Sequence, residues 1–186
     1  DATKILSRIR ELECELLAGY RELAISNEAG AAAMLNVSFA MTKELKSAPE
    51  EIKNNLKITF DANRSTIFTL CVERINAEPA SRFEAISFDD ETIKKIRALE
   101  RKIVLELREL CITMPVIAKV CADLSDEQIK SLVECSVSDV MEFCYSSAVS
   151  VLKLRFKKEK ALGELLKVAS KPSFRAFGLV MDRIAC

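Results

Sequence analysis

Two stretches of similar sequence lie 87 residues apart in this chain of 186 residues, and they restrict the possible folds more than any other feature. Residues 9–26 align with residues 96–113 without a gap, and 8 of the 18 positions are identical. Two unrelated amphipathic helices would share far fewer. Internal repetition of this kind indicates that one structural unit is present twice.

Within each stretch, apolar side chains recur every three or four positions, which is the spacing of one face of an α-helix. We therefore predict helices at residues 2–26 and 91–113. Their nearly heptad spacing favours pairing, and a covalent link raises the effective concentration of the second copy to about the millimolar range. The predicted contact between the two helices is formed by Ile9, Leu12, Leu16, Ile96, Leu99 and Ile103.

Shorter elements are expected after each long helix. Ser125 and Gln128 have the spacing of a capping box, in which two side chains close the first turn of a helix. The sequence Pro-Glu-Glu at residues 49–51 and the pair Ser138-Asp139 are typical of two further helix starts. Residues 65–72 and 149–154 alternate and are rich in β-branched residues, which predicts one short strand per copy. A lone strand is unstable, so the two strands are expected to pair.

These patterns predict a mainly α fold, built as a tandem repeat of two helical units. Each unit has one short β-strand, and the two units form a pseudo-two-fold pair. The expected divisions are a first repeat at 1–75, a linker at 76–91, a second repeat at 92–156 and a C-terminal basic helical segment at 157–186. Pro172 separates two helices expected in that last segment, at about 157–170 and 173–184.

Basic and acidic residues balance at 28 each, but residues 153–186 hold nine basic and three acidic side chains. A basic segment of this kind can bind nucleic acid or an acidic protein surface. The alternative is a strand edge that lysines protect from further pairing. The candidate DNA- or partner-binding residues are Lys153, Arg155, Lys157, Lys158 and Lys160.

Few residues suggest catalysis or metal binding. The chain has no histidine, and its seven cysteines are scattered without a CxxC pair, which predicts free, mostly buried thiols in the cytoplasm and no metal or cofactor. Glu11, Glu13, Glu15 and Glu22 are expected to point into solvent, away from the apolar contact. We predict no enzymatic activity because no motif organises acid–base groups. No apolar run approaches the length of a membrane span.

Residues 125–144 have the length and spacing of a helix-turn-helix, the DNA-binding motif whose second helix reads base edges. That second helix, residues 136–144, contains Asp139 and Glu142 but no Arg, Lys, Asn or Gln. These side chains are poorly suited to base edges and phosphates. The pattern therefore favours a packed helical hairpin.

Several stretches resemble the D subunit of the bacterial flagellar transcriptional activator (FlhD). In the second copy, the stretches are LSDEQIKSL at 124–132, residues 136–143 and VLKLRF at 151–156. In the first copy, AMLNV at 33–37 resembles the second helix of that family, and LCVERI at 70–75 resembles its cysteine-bearing strand. The resemblance covers most of the chain, through short and mostly apolar motifs.

The resemblance implies a helical subunit that dimerises and assembles with a C-type partner on promoter DNA. Cys71 resembles the cysteine of the family's intersubunit disulfide, whereas the second copy has Leu152 there. The chain differs from the family in being doubled, and it has no counterpart of the four-cysteine zinc cluster of the partner subunit. We therefore expect an intramolecular pseudo-dimer that regulates transcription through a partner protein. The alternative is a helical adaptor, chaperone or secretion-system component that does not bind DNA.

Overall fold

The computed structural model describes residues 1–48, 50, 65–71, 90–146, 150–155 and 164. This part of the chain is mainly helical with a small two-stranded sheet, as the sequence predicts. The helices predicted to start at 49–51 and to occupy 157–170 and 173–184 lie outside the described residues, except for Glu50 and Glu164. In chain order the elements are α1 (Ala2–Ser26), α2 (Glu28–Leu35), α3 (Phe39–Ser47), β1 (Phe68–Leu70), α4 (Glu91–Thr113), α5 (Pro115–Ala122), α6 (Asp126–Glu134), α7 (Val137–Ser146) and β2 (Leu152–Leu154).

The long helices α1 and α4 form the most extensive contact between any two elements. They run antiparallel, because Arg8 near the start of α1 forms an ion pair with Glu106 near the end of α4, and Glu22 pairs with Lys95 at the opposite end. The helices approach closely at Gly19, where an added Cβ would lie 3.1 Å from Ile96 Cγ1. A larger residue at position 19 would therefore push the helices apart.

The side chains predicted to form this contact lie in the core. Burial of one Leu or Ile side chain contributes roughly 1.5–3 kcal/mol to the stability of the fold, so this set of side chains contributes a large part of the stability of the core. Five of these side chains are buried and Leu12 is partly buried: Ile9, Leu16, Ile96, Leu99, Ile103 and Leu12.

The shorter helices pack on the long ones through contacts that recur at the same spacing. Arg21 Nε of α1 donates to the carbonyl of Ala48 at 2.7 Å, directly after α3. Arg108 Nε of α4 donates to the carbonyl of Cys135 at 2.8 Å, directly after α6. Each residue of the second contact stands 87 positions after its counterpart in the first. The two hydrogen bonds hold α3 on α1 and α6 on α4.

Helix ends also recur at this spacing. Asn36 ends α2 with φ 54°, and Asp123 ends α5 with φ 53°, which are left-handed conformations that asparagine and aspartate tolerate better than most residues. The side chains of Ser38 and Ser125 then cap α3 and α6. The capping box predicted at Ser125 is present, with Gln128 as its second member. Each second-half residue again lies 87 positions after its counterpart.

One predicted helix start is wrong by two residues. The sequence pair Ser138-Asp139 was expected to open α7, but the helix begins at Val137. Ser136 caps it: its hydroxyl accepts from the Asp139 N–H at 3.1 Å, and the Asp139 carboxylate accepts from the Ser136 N–H at 2.9 Å. The serine that can exchange hydrogen bonds with a residue three positions later is therefore the one that caps the helix.

The two strands pair antiparallel, with Phe68 opposite Leu154, Thr69 opposite Lys153 and Leu70 opposite Leu152. Each strand has three residues and is shorter than the stretch that predicted it. The reason lies just before each strand, where the backbone N–H groups bond to the ends of helices instead of to a strand. Thr66 N donates to Cys121 O at 2.8 Å, and Ser150 N donates to Met34 O at 3.1 Å.

The predicted linker at 76–91 includes the beginning of α4. Asp90 caps this helix by accepting from the Thr92 N–H at 2.7 Å, and the helix starts at Glu91. Residues 76–89 lie outside the described part of the chain. None of the helices in the described ranges is both long and apolar enough to cross a membrane.

Candidate functional site

A buried carboxylate on α1 lies under the start of β1. Glu13 is fully buried, and its Oε1 atom accepts hydrogen bonds from the backbone N–H groups of Ile67 and Phe68, both at 2.9 Å. The prediction that Glu13 points into solvent is wrong. The helix is buried on more than one side because α2, α3 and α4 all contact it, and residues flanking the apolar contact are enclosed as well.

The environment of Glu13 changes its acidity. Burial raises its pKa from 4.5 to about 7, because a charged carboxylate loses its hydration in the core. The N–H groups of Phe68 and Ile67 and the positive charges of Arg10 and Arg155 oppose this shift by stabilising the charged form. Glu13 is therefore the group in this site whose protonation state changes near neutral pH.

A second buried carboxylate occupies the corresponding position of α4, 87 residues later. Glu100 is fully buried, and its Oε1 atom accepts from the Tyr20 hydroxyl at 3.1 Å and from the Ser150 hydroxyl. Burial and the neighbouring Glu100 charge raise the pKa of Tyr20 well above its ordinary value. The Tyr20 hydroxyl therefore stays protonated and serves as a hydrogen-bond donor.

The two carboxylates do the same structural task with different donors. Glu13 holds the residues before and at the start of β1 through backbone N–H groups, and Glu100 holds Ser150 before β2 through a hydroxyl. Their identity in the aligned stretches was a signal that sequence reasoning missed. A charged residue retained beside the apolar contact in both stretches indicates that its burial has a structural reason.

The basic residues predicted to bind DNA or a partner differ in availability. Arg155 turns its guanidinium towards the protein, where Nη1 donates to Thr66 O at 3.2 Å and Cys121 O at 2.9 Å. Lys153 is half-buried in the middle of β2, opposite Thr69. Lys157, Lys158 and Lys160 lie outside the described residues. Arg155 thus fastens the end of β2 to the start of β1 and to α5.

The register of the strands also corrects one sequence alignment. Cys71 N donates to Val151 O at 2.9 Å, and Arg155 N donates to Ile67 O at 3.0 Å. Cys71 and Arg155 therefore hold equivalent positions at the two ends of the strand pair. In this register Arg155 corresponds to Cys71, whereas the sequence similarity had placed Leu152 at that position.

The six cysteines of the described ranges are free thiols, and Cys14, Cys71, Cys111 and Cys144 are buried. Burial raises the pKa of Cys111 to about 11 and that of Cys144 to about 12, which keeps both thiols protonated and poorly reactive at neutral pH. Within the same ranges, no group of three or more potential ligands is placed to hold a metal ion.

The second helix of the hairpin at 126–146 packs with one side on α4. Val140 and Cys144 are buried, while Val137 and Met141 are exposed together with Asp139 and Glu142. An apolar and acidic outer surface does not suit the phosphates of DNA. The second helix therefore packs on α4, and its exposed side chains are poorly suited to reading base edges.

Apolar side chains on α5 are exposed in a way that α2 does not repeat. Val116 and Val120, four residues apart on one side of α5, are 74% and 69% exposed. The residues 87 positions earlier are Ala29 and Ala33, which present much less apolar surface. An exposed apolar patch on a helix is typical of a surface that contacts another protein.

Comparison of the chain with protein-family models, curated proteins and solved structures finds no match in any of the three.

Proposed function

We propose that the chain is a fused pair of two D-type helical units and serves as a regulatory subunit that acts on promoter DNA together with a partner protein. The observation that carries the proposal is the pair of contacts Arg21–Ala48 and Arg108–Cys135, each of which fixes a short helix on a long helix at a spacing of 87 residues. The recurrence of a specific contact, rather than of apolar periodicity alone, supports one unit used twice.

The strand pair supports the pseudo-two-fold arrangement. Exchange of the two halves turns the hydrogen bond from Cys71 N to Val151 O into the bond from Arg155 N to Ile67 O. The same holds for the bonds from Thr66 and Ser150 to the ends of α5 and α2, since each strand start contacts a helix of the other half. A two-fold dimer of single units would form these contacts between subunits, and here one chain supplies both sides.

A role through a partner, rather than through direct reading of DNA, agrees with the exposed groups. The Arg155 guanidinium is used within the protein, and the outer side of α7 carries acids. Val116 and Val120 offer an apolar surface that suits an apolar patch on a C-type subunit. In this proposal the partner reads the DNA, and the protein works in the cytoplasm with reduced thiols.

Binding to promoter fragments, measured with and without a C-type subunit, tests the proposal. We expect weak, salt-sensitive binding by the chain alone and specific binding by the pair. The double variant Val116→Glu/Val120→Glu should weaken partner binding by at least about tenfold. The matched control is Ala29→Glu, an exposed position on α2, which should leave partner binding unchanged. Equal promoter binding with and without the partner would count against the proposal.

The second candidate is a helical adaptor, chaperone or secretion-system component that binds no DNA. The exposed apolar side chains of α5 and α7 support this candidate as well as the first, because they suit a protein partner of either kind. The two candidates differ in one measurable respect. An adaptor would retain a partner protein in a pull-down while neither the chain nor the complex shifts any DNA fragment.

A further inference from the structure

We propose that Glu13 is a pH-sensitive attachment between α1 and the strand pair, and that the start of β1 opens more readily from α1 when Glu13 is charged. The two hydrogen bonds from the N–H groups of Ile67 and Phe68 to Glu13 Oε1 are called the Glu13 contact. This inference concerns regulation of the fold and does not depend on which partner the protein binds.

The geometry makes the Glu13 contact a distinct attachment. It joins residues that are 54 and 55 positions apart in the chain, within the buried core. Two consecutive backbone N–H groups converge on one oxygen atom. The other oxygen, Oε2, is buried and has no hydrogen-bond partner among the described residues. A charged carboxylate in this setting has half of its hydrogen-bonding capacity unused, which is costly in a core.

Two arginines of the described ranges place positive charge near the Glu13 contact. Arg10 from α1 and Arg155 from the end of β2 act on Glu13 with positive charge. Arg155 also bonds to Thr66 O, so the backbone before β1 is fastened from two sides. Three carboxylates on the other packed elements have partners of their own: Glu106 with Arg8 and Glu100 with Tyr20 on the α4 side, and Glu28 with Lys46 between α2 and α3.

The direction of the pH effect follows from hydration. In the closed state burial raises the pKa of Glu13 to about 7, whereas a carboxyl exposed by opening regains its ordinary value of 4.5. Between pH 4.5 and about pH 7, the closed state therefore holds a proton that the open state releases. Opening becomes more favourable as pH rises from about 5 to about 7 and levels off above that range.

Glu100 provides a matched comparison within the same molecule. It is equally buried, and the hydroxyl groups of Tyr20 and Ser150 donate hydrogen bonds to its Oε1 atom. Glu100→Gln therefore changes a buried carboxylate near β2 without changing the Glu13 contact. Glu13→Gln keeps a carbonyl oxygen as acceptor for Ile67 and Phe68 and removes the titration.

Hydrogen exchange of the Ile67 and Phe68 amides, measured from pH 5 to pH 8 on the full chain, tests the proposal. Protection is expressed relative to the intrinsic exchange rate at each pH, so that the catalysis of exchange by hydroxide cancels. We expect the protection of these two amides to fall by on the order of 50-fold over this range and to level off above pH 7. Glu100→Gln should retain this dependence, and Glu13→Gln should show constant protection.

Two results would overturn the proposal. One is wild-type protection of Ile67 and Phe68 that does not change between pH 5 and pH 8, a result that needs no variant. The other is the same pH dependence in wild type and Glu13→Gln, which would assign the titration to another group. If Glu13→Gln does not fold, the wild-type and Glu100→Gln profiles still decide, since the proposal requires the fall in both.

Discussion

The Tyr20 hydroxyl on α1 donates a hydrogen bond to Glu100 Oε1 on α4 at 3.1 Å, and both residues are fully buried. This bond joins the two long helices at a position where the rest of their contact is largely apolar. The residue 87 positions after Tyr20 is Leu107, which has no hydroxyl to offer Glu13. Glu13 uses backbone N–H groups instead. Two buried carboxylates 87 positions apart thus accept from hydroxyl groups in one case and from backbone N–H groups in the other.

Tyr20→Phe should destabilise the protein by about 1–3 kcal/mol, because Glu100 Oε1 loses one donor in a buried site while the ring continues to pack. Chemical denaturation of wild type and variant measures the loss. In a double-mutant cycle with Glu100→Met, which removes the acceptor and keeps a side chain of similar length, the two changes should be clearly non-additive, since they affect one hydrogen bond. Additive effects would show that Tyr20 and Glu100 contribute independently.

Arg21→Met and Arg108→Met should each cost about 1–2 kcal/mol, because both remove a hydrogen bond to a backbone carbonyl and keep an apolar side chain of similar length. Similar costs are expected because in both contacts an arginine Nε donates to a backbone carbonyl, and the two hydrogen bonds are nearly equal in length. Thermal unfolding measures both variants, with exposed Lys102→Met on α4 as the control. A cost for one arginine and none for the other would argue that the two helix attachments are not equivalent.

Overall stability should depend on Glu13 in the range from pH 5 to pH 8. Its pKa is about 7 in the folded protein and 4.5 in its ordinary state, so the folded chain binds the proton more tightly than the unfolded chain. The stabilisation is fully present below about pH 4.5 and is lost as pH rises through about 7. The difference amounts to roughly 3 kcal/mol at about 1.4 kcal/mol per pKa unit.

Urea unfolding of wild type and Glu13→Gln at several pH values measures this contribution. The free energy of unfolding of the wild type, minus that of the variant, should decrease from pH 5 to pH 7 and then stay constant. Subtracting the variant removes the contribution of all other titrating groups. A difference that is constant, or that rises with pH, would contradict the raised pKa of Glu13.

The long helices were the easiest part of the fold to predict. Their apolar residues repeat at helical spacing over six turns, and the observed elements, Ala2–Ser26 and Glu91–Thr113, have the expected bounds. The instability of a lone strand predicted that the two strands pair, but the sequence did not predict their antiparallel register. The register depends on contacts such as Thr66 N to Cys121 O, which join distant parts of the chain.

The candidate site was predicted poorly because its residues act through tertiary contacts. Glu13 is a charged residue on a helix, and by composition alone such residues are usually solvated. Only the packing of several elements around α1 shows that it is buried. Arg155 likewise belongs to a basic run in the sequence, but its guanidinium bonds to two backbone carbonyls. The direction of a side chain at the end of a strand depends on the groups of other elements that pack against that strand.

A charge placed in the contact between α1 and α4 should unfold the protein or nearly so. Leu16 and Ile103 are fully buried, and Asp at either position would leave an unpaired charge in the core, at a cost of several kcal/mol. Circular dichroism and thermal unfolding of Leu16→Asp and Ile103→Asp measure the effect. Lys102 is the exposed neighbour of Ile103, and Lys102→Asp serves as the control. A stable Leu16→Asp variant would mean that α1 and α4 do not need each other.

The same contact predicts the behaviour of the separated halves. A fragment of residues 1–89 would expose Ile9 and Leu16 and would hold β1 without its pairing partner, and residues 90–186 would do the same with Ile96, Ile103 and β2. Each fragment should therefore unfold or self-associate, whereas the full chain should sediment as a monomer because its apolar contact is satisfied internally. Mixing the fragments should restore helical content. Two stable, monomeric fragments would contradict the proposed pseudo-dimer, since such units would have no reason to bury these side chains against each other.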